Sequence, residues 1–256
     1  DERIRYVLLE DNLGISGNTN AAARLATGDF VGLLDHDDLL APDALFEVAA
    51  AINRSRPDVL YTDEDKIDME GRFHFDPNLK PDFAPDLLRS HNYITHFFVA
   101  RRSLLEEIGY FRKEYDGAQD YDLILRATEK GKVVVVTTQV PNEGSDISLY
   151  EVGNKLYAYD AGTRAIAASL ERGGEQGKVE RLDLWGLNHV RYEMPGDPLI
   201  SIIIPNKDHI GELRTCIESL LQKSSYRSFE LVIVENNSTQ PETFAYYEEI
   251  QKKYEQ

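Results

Sequence analysis

Three carboxylates, Asp35, Asp37 and Asp38, follow directly on the apolar run Phe30-Val31-Gly32-Leu33-Leu34. Acids in an Asp-x-Asp spacing offer hard oxygen ligands suited to Mg²⁺ or Mn²⁺. These ions dehydrate reluctantly and are commonly shared between one or two carboxylates and the phosphates of a substrate. The apolar run, bounded by Gly28-Asp29 and by the acids, fits a buried strand of an α/β sheet, and ligands of open α/β sheets bind beyond the carboxyl ends of such strands. The same acids would also serve as a solvated turn in which Asp38 starts a helix. A further carboxylate, Asp120, stands where Asp116-Gly117-Ala118-Gln119-Asp120-Tyr121-Asp122-Leu123 enters a helix. There it reads as an N-cap or dipole partner, worth about 0.5–2 kcal/mol, or as a general base toward a substrate hydroxyl at a cleft mouth.

These acids need a framework to hold them. The sequence opens on an expected strand over residues 4–9, then a turn-rich loop with Gly14 and Gly17 and a short helix over 21–26. Pro42 opens a helix whose Leu45, Val48, Ala49 and Ile52 recur at core-facing spacing. A strand over 58–61 is expected to end in a second acidic edge, Thr62-Asp63-Glu64-Asp65-Lys66. Residues 73–85, rich in Pro, Asp and Phe, read as a loop bordering an acceptor pocket. An apolar stretch over 87–99, a helix over 101–108, a strand over 132–137 and a helix over 154–172 follow. Segments 179–182 and 189–192 suit a small hairpin around Trp185-Gly186. From Pro198 the pattern resets to a continuous buried strand, a helix carrying Leu213, Cys216, Ile217, Leu220 and Leu221, and a second strand over 229–234. That is a β-α-β start of a nucleotide-binding fold, too small to be stable alone.

Composition narrows the partners. With 28 Lys and Arg against 45 Asp and Glu, the net charge is −17 and no dense basic run appears, which argues against nucleic acid. An anionic substrate would therefore need a metal or a local basic group. A single cysteine, Cys216, excludes an internal disulfide framework and suits a reducing compartment. The N-terminus lacks a basic-then-apolar signal, and no apolar run approaches the roughly 20 residues of a membrane span. A soluble, cytoplasmic piece of a longer chain is the expectation.

Taken together, NLGISGNTNAA, the strand with DHDD, YTDEDKID, PNLKPDFAPDLL, GAQDYDLILR, PLISIIIPNKD and FELVIVENNS resemble the family 2 glycosyltransferases of the GT-A fold, of the tandem bacterial surface-polysaccharide type. The resemblance implies an α/β chain whose mixed sheet is flanked by helices. Residues 1–150 would be the metal-binding and acceptor half of one domain, 151–197 a helical segment and connector, and 198–256 the nucleotide-binding first half of the next. The late βαβ unit would complete the first sheet in permuted order, within one chain or by strand exchange in a homodimer.

The family's roles carry over by position. Asp35 and Asp37 would hold the metal, Mn²⁺ or Mg²⁺, with Asp35 also touching the donor, and Asp120 would be the catalytic base, with Asp122 a less favoured substitute. Pro205, Asp208, Glu235 and Asn236 would surround the nucleoside base in the second unit. Two departures stand out: Asn236 replaces an acid, and Thr138-Gln139-Val140 lacks an expected histidine metal ligand. The implied partners are a nucleotide-sugar donor and a glycan acceptor, with peripheral membrane association of the parent protein. The implied reaction is sugar transfer with inversion. The competing readings are a non-catalytic nucleotide- or glycan-binding scaffold and a metal-dependent phosphohydrolase.

Overall fold

The computed structural model describes residues 2–68, 72–143 and 156–254. They fall into two units, Asp1–Glu193 and Met194–Gln256. The first is organised by β2 (Val59–Ile67), which pairs antiparallel with β4 (Phe98–Arg101) and β3 (His74–Asn78) and parallel with β5 (Val133–Glu143). Strand β1 (Phe30–Leu33) adds antiparallel to β4, with Phe30 opposite Arg101 and Leu33 opposite Phe98. The sheet is therefore mixed.

Both faces of this sheet are covered, so β2 is apolar over Val59–Tyr61 and β4 over Phe98–Ala100, and these segments sort their side chains by the two-residue period. Val59 and Tyr61 of β2, with Phe98 and Ala100 of β4, point into one core. Leu60 and Val99 point into the other. Helix α2 (Ala44–Ser55) covers the second core through Val48 and Ala51. Helices α3 (Pro85–Ser90), α4 (Arg102–Ile108), α5 (Gln119–Lys130) and α6 (Leu156–Gly173) supply the larger core, where Leu88, Leu105, Leu123, Ile124 and Ile166 are fully buried. Each such aliphatic side chain contributes about 1.5–3 kcal/mol relative to exposure. Helix α1 (Gly14–Ala23) is tied to this body by polar contacts: Ser16 to Asp116, and Asn20 donating to the Phe111 carbonyl at 2.9 Å. The hairpin of β6 (Gly177–Arg181) and β7 (Asn188–Tyr192) packs with α6 and α3.

The structure departs from the sequence reading where partners, and not periodicity, decide. Residues 4–9 are extended but belong to no strand, and Tyr6 and Leu8 are 88% and 89% exposed. A strand needs a ladder neighbour, and among the described residues none takes up their backbone groups. The glycine-rich loop is itself helical: Gly14, at φ +77°, starts α1, which ends before the expected segment does. In α2 the buried face is Ala44, Val48 and Ala51, while Leu45 is exposed. The second acidic edge is a continuation of β2, with Asp63 and Asp65 buried, and the expected loop over 73–85 contains β3 paired against it. The side chains at 138–140, where a histidine ligand is missing from the sequence, lie outside the described residues.

The second unit is a βαβ arrangement: β8 (Ile200–Asn206), α7 (Ile210–Lys223), β9 (Phe229–Glu235) and α8 (Pro241–Tyr254). Strands β8 and β9 pair in parallel, Ile200 opposite Phe229 and Asn206 opposite Glu235, as a two-stranded sheet of their own. Leu213, Ile217 and Tyr246 form the core against Ile204, Leu231 and Ile233. The strands were expected to be buried on both faces, yet Ile203, Val232 and Val234 are exposed, because the two helices of this unit pack on one side only. Cys216 is exposed as well. No helix among the described residues is long and apolar enough to cross a membrane.

Candidate functional site

At the carboxyl end of β1 the chain turns back on itself, the Asp38 N–H donating to the Asp35 carbonyl at 3.2 Å. The turn carries the Asp38 carboxylate inward, where 3% of its side chain is exposed, and leaves Asp37 53% exposed beside His36. His96, from the segment entering β4, meets it: its Nδ1 lies 3.2 Å from Asp38 Oδ2 and 3.7 Å from Asp35 Oδ2. One ligand atom each from Asp35, Asp38 and His96 falls within 4.8 Å of the others. Asp38 Oδ2 is buried and accepts no hydrogen bond, His96 being an electrostatic neighbour only. Burial pushes the Asp38 carboxyl above its ordinary range, His96 opposes the shift, and Asp35, Asp37 and Glu64 reinforce it. An orphaned, buried carboxylate oxygen among other acids and an imidazole fits a divalent cation, which would supply the missing partner.

His96 is held by its backbone. Glu64 on β2 accepts the His96 N–H at 3.0 Å, and Lys80 donates to the carbonyls of Thr95 at 2.5 Å and His96 at 2.8 Å. The Lys80 side chain is buried, with Glu64 at 3.4 Å. Its pKa is lowered to about 8 by burial, against the pull of Glu64 and Asp63. The Asp63 carboxylate accepts the Lys80 N–H at 2.7 Å. The acids of β2 are thus the scaffold behind the site.

Asp120 sits in the first turn of α5, and Asn92 Nδ2 donates to its Oδ2 at 3.0 Å. Burial raises its pKa first of all, and Asp35 adds to the rise. The backbone N–H groups of Tyr121 and Asp120 and the nearby His96 oppose it. Asp120 lines a cavity of about 530 Å³ together with Leu33, Leu34, Asp35, Thr95 and His96. One cavity therefore joins a cation-suited cluster to a carboxylate inclined to take a proton. Asp122, two residues on, is fully buried and bound by Arg112, at 3.0 Å through Nε, and by Arg126. It has no route to a substrate.

In the second unit, Pro205, Asp208, Glu235 and Asn236 lie at or just beyond the carboxyl ends of β8 and β9. The Asp208 carboxylate accepts from the backbone N–H groups of Thr239 and Gln240, each at 3.0 Å, and from Thr243 at 3.2 Å. The backbone N–H of Gln240 is the main cause of its lowered pKa. Glu235 accepts from Ser238 and, at 2.7 Å, from Tyr247. Both acids therefore order the loop that leads into α8, and the Asn236 N–H donates to the Asn206 carbonyl at 2.9 Å.

Asp35 and Asp120, which the sequence singled out, share the cavity; Asp37 is close by but outside the triad of ligand atoms. His96, Lys80 and Asn92 were missed. A histidine far along the chain from the acids carries no spacing signal. A lone lysine within PNLKPD gives no hint that it is buried.

Residues 1–109 match the family model described as Glycosyl transferase family 2. An uncharacterized protein, y4gI, of Sinorhizobium fredii is 38% identical over 98% of this chain and 28% of its own length. The O-antigen biosynthesis protein RfbC of Myxococcus xanthus is 41% identical over 97% of this chain and 20% of its own. The chain thus spans between a fifth and a third of these relatives. A crystal structure of S. aureus TarS, residues 1-349, in complex with UDP-GlcNAc superimposes with a TM-score of 0.44 and 22% identity, over 63% of this chain and 48% of that one.

Proposed function

We propose that this chain, whose residues 1–109 match the glycosyl transferase family 2 model, is part of such an enzyme, and that its parent protein transfers a sugar from a nucleotide-sugar donor to a growing bacterial surface glycan, with inversion at the anomeric carbon. The O-antigen biosynthesis protein that matches nearly the whole chain supports the glycan class. The observation that carries the chemistry is the shared cavity, with Asp120 on one wall and Asp35 and His96 on another.

In this reading Asp120 is the general base. Its carboxylate takes the proton of the acceptor hydroxyl as that oxygen attacks the anomeric carbon and the nucleoside diphosphate departs. The raised pKa of a confined carboxyl makes its ionised form a stronger proton acceptor than an ordinary carboxylate. Asn92, donating to Asp120 Oδ2, orients the other oxygen toward the cavity. Asp35, Asp38 and His96 would hold Mn²⁺ or Mg²⁺, which when bound neutralises charge on a diphosphate. This assignment moves the second carboxylate ligand from Asp37 to Asp38. Pro205, Asp208, Glu235 and Asn236 are proposed to border a nucleoside in the second unit, Asp208 and Glu235 by shaping the loop. A site that consumes nucleotide-sugars belongs in the cytoplasm, where such donors are made.

The test is calorimetric titration of UDP, dTDP and GDP, with and without Mn²⁺, on the wild type and on Asp38→Asn and Asp37→Ala. Metal-dependent nucleotide binding that is lost in Asp38→Asn is the expected result. Nucleotide binding indifferent to metal and to both substitutions would defeat the metal assignment. Transfer undiminished in Asp120→Asn would defeat the choice of base.

A further inference from the structure

Asp120 also lines a second cavity, of about 360 Å³, to which, among the described residues, β1 contributes none. Its other walls are the α6 residues Tyr159 and Gly162 and, from the hairpin, Trp185 and Asn188; Asn92 completes the rim. All of these belong to the first unit, and the walls from α6 and the hairpin lie beyond the residues that match the family model.

Three features specify what would fit. Trp185 and Tyr159 are neighbours, with ring centroids 5.0 Å apart and planes inclined by 56°. Tyr159 is anchored by its hydroxyl, which donates to the carbonyls of Leu187 and, at 3.2 Å, of Leu182, and Arg181 lies over its ring at 5.0 Å. Trp185 retains 37% exposure, so an apolar face is left for a ligand. Asn92 uses its amide nitrogen on Asp120 while its Oδ1 is buried with no partner, an acceptor awaiting a hydroxyl. Among the described residues neither Lys nor Arg lines the cavity, and burial pushes the His91 imidazole toward its neutral form. None of the described lining residues offers a phosphate or uronate a fixed counter-charge. An apolar platform combined with a few oriented polar groups is the chemistry of a neutral ring bearing hydroxyls.

Resting on the glycosyltransferase reading, we propose that this cavity is the acceptor subsite, taking the terminal neutral pyranose of the glycan with its apolar face on Trp185 and one hydroxyl between Asn92 Oδ1 and Asp120. The acceptor would thus reach Asp120 through this cavity and the donor through the one lined by Asp35 and His96, since Asp120 lines both.

Trp185 is the only tryptophan in the chain, so its emission reports on this cavity alone. The experiment titrates the protein with the methyl glycosides of glucose, galactose, mannose, rhamnose and N-acetylglucosamine, following tryptophan fluorescence. A saturable change with at least one of them is expected, weakened about tenfold in Asn92→Ala. The absence of a saturable change with every member overturns the proposal. Calorimetry of the same glycoside on Trp185→Ala, and on Trp185→Phe should the alanine variant misfold, gives a second readout. Weakened binding supports the platform, and unaltered binding overturns it. Saturable binding without transfer to that glycoside from any donor would count against the glycosyltransferase reading while leaving the pyranose subsite standing. Transfer with an acceptor KM unchanged by both Trp185 replacements would do the reverse.

Discussion

At the residue scale, the adjacent acids Asp37 and Asp38 are not equivalent. Asp37 faces solvent, whereas Asp38 carries a buried oxygen without a partner, next to His96. If the proposed assignment holds, His96→Ala and Asp38→Asn each weaken Mn²⁺ binding by about tenfold or more, since each would remove a proposed ligand, and Asp37→Ala weakens it least. Titration of Mn²⁺ followed by electron spin resonance ranks the three, and a larger loss in Asp37→Ala would reverse the assignment. Asp120 makes a prediction with a sign. Its folded pKa is raised, so the folded chain holds that proton more tightly than the unfolded chain does. The related stability is full below the unfolded value and is lost as pH rises through the folded one. Asp120→Asn should therefore raise the melting temperature at neutral pH, while lowering kcat by about 10²–10⁴. In the wild type, kcat should climb with pH through a value above the ordinary carboxylate range. A profile flat across that range would leave Asp120 without the role of base.

At the element scale, β2 and α5 are built around buried charge. Lys80 binds the backbone carbonyls of Thr95 and His96, which flank the His96 Cα. Lys80→Met should keep the fold and weaken Mn²⁺ binding by about 10–100-fold, the scale seen when the groups supporting a metal ligand are removed. Inside α5, Asp122 neutralises Arg112 and Arg126. Asp122→Ala would strand two guanidinium groups, one of them almost wholly buried, and should cost about 3–5 kcal/mol, read from the shift in urea midpoint at constant slope. Its neighbour Asp120 should cost no stability when replaced by Asn, although the two acids differ little in sequence context. Helical periodicity placed both in the first turn of α5; which one faced the cavity followed from Arg112 of a preceding segment and Arg126 one turn further along α5, which together hold Asp122.

At the scale of the whole molecule, the two units differ in how completely their sheets are covered. In the first, both faces of β2 and β4 lie under helices. In the second, Ile203, Val232 and Val234 leave an apolar face open, and two strands with two helices bury too little to be independently stable. Residues 194–256 expressed alone should melt without a cooperative transition by circular dichroism, whereas residues 1–193 alone should melt cooperatively. A sharp transition in the smaller piece would show that one covered face suffices.

The sequence alone determined the class of the chain. Apolar runs ended by acids and the reset at Pro198 placed Asp35 just beyond a strand and Asp120 at a helix start. Those are local properties, set by which side chains adjoin which backbone. Only the tertiary structure decided that residues 4–9 make no ladder, that the acids after Tyr61 continue β2, and that α2 turns Leu45 outward. It also decided that Asp38 with His96, and not Asp37, turns inward beside Asp35, and that Trp185 stands across a cavity from Asn92. Each of these depends on a partner distant in the chain. A strand exists only if another strand accepts its hydrogen bonds, and a carboxylate becomes a ligand or a base only through what encloses it.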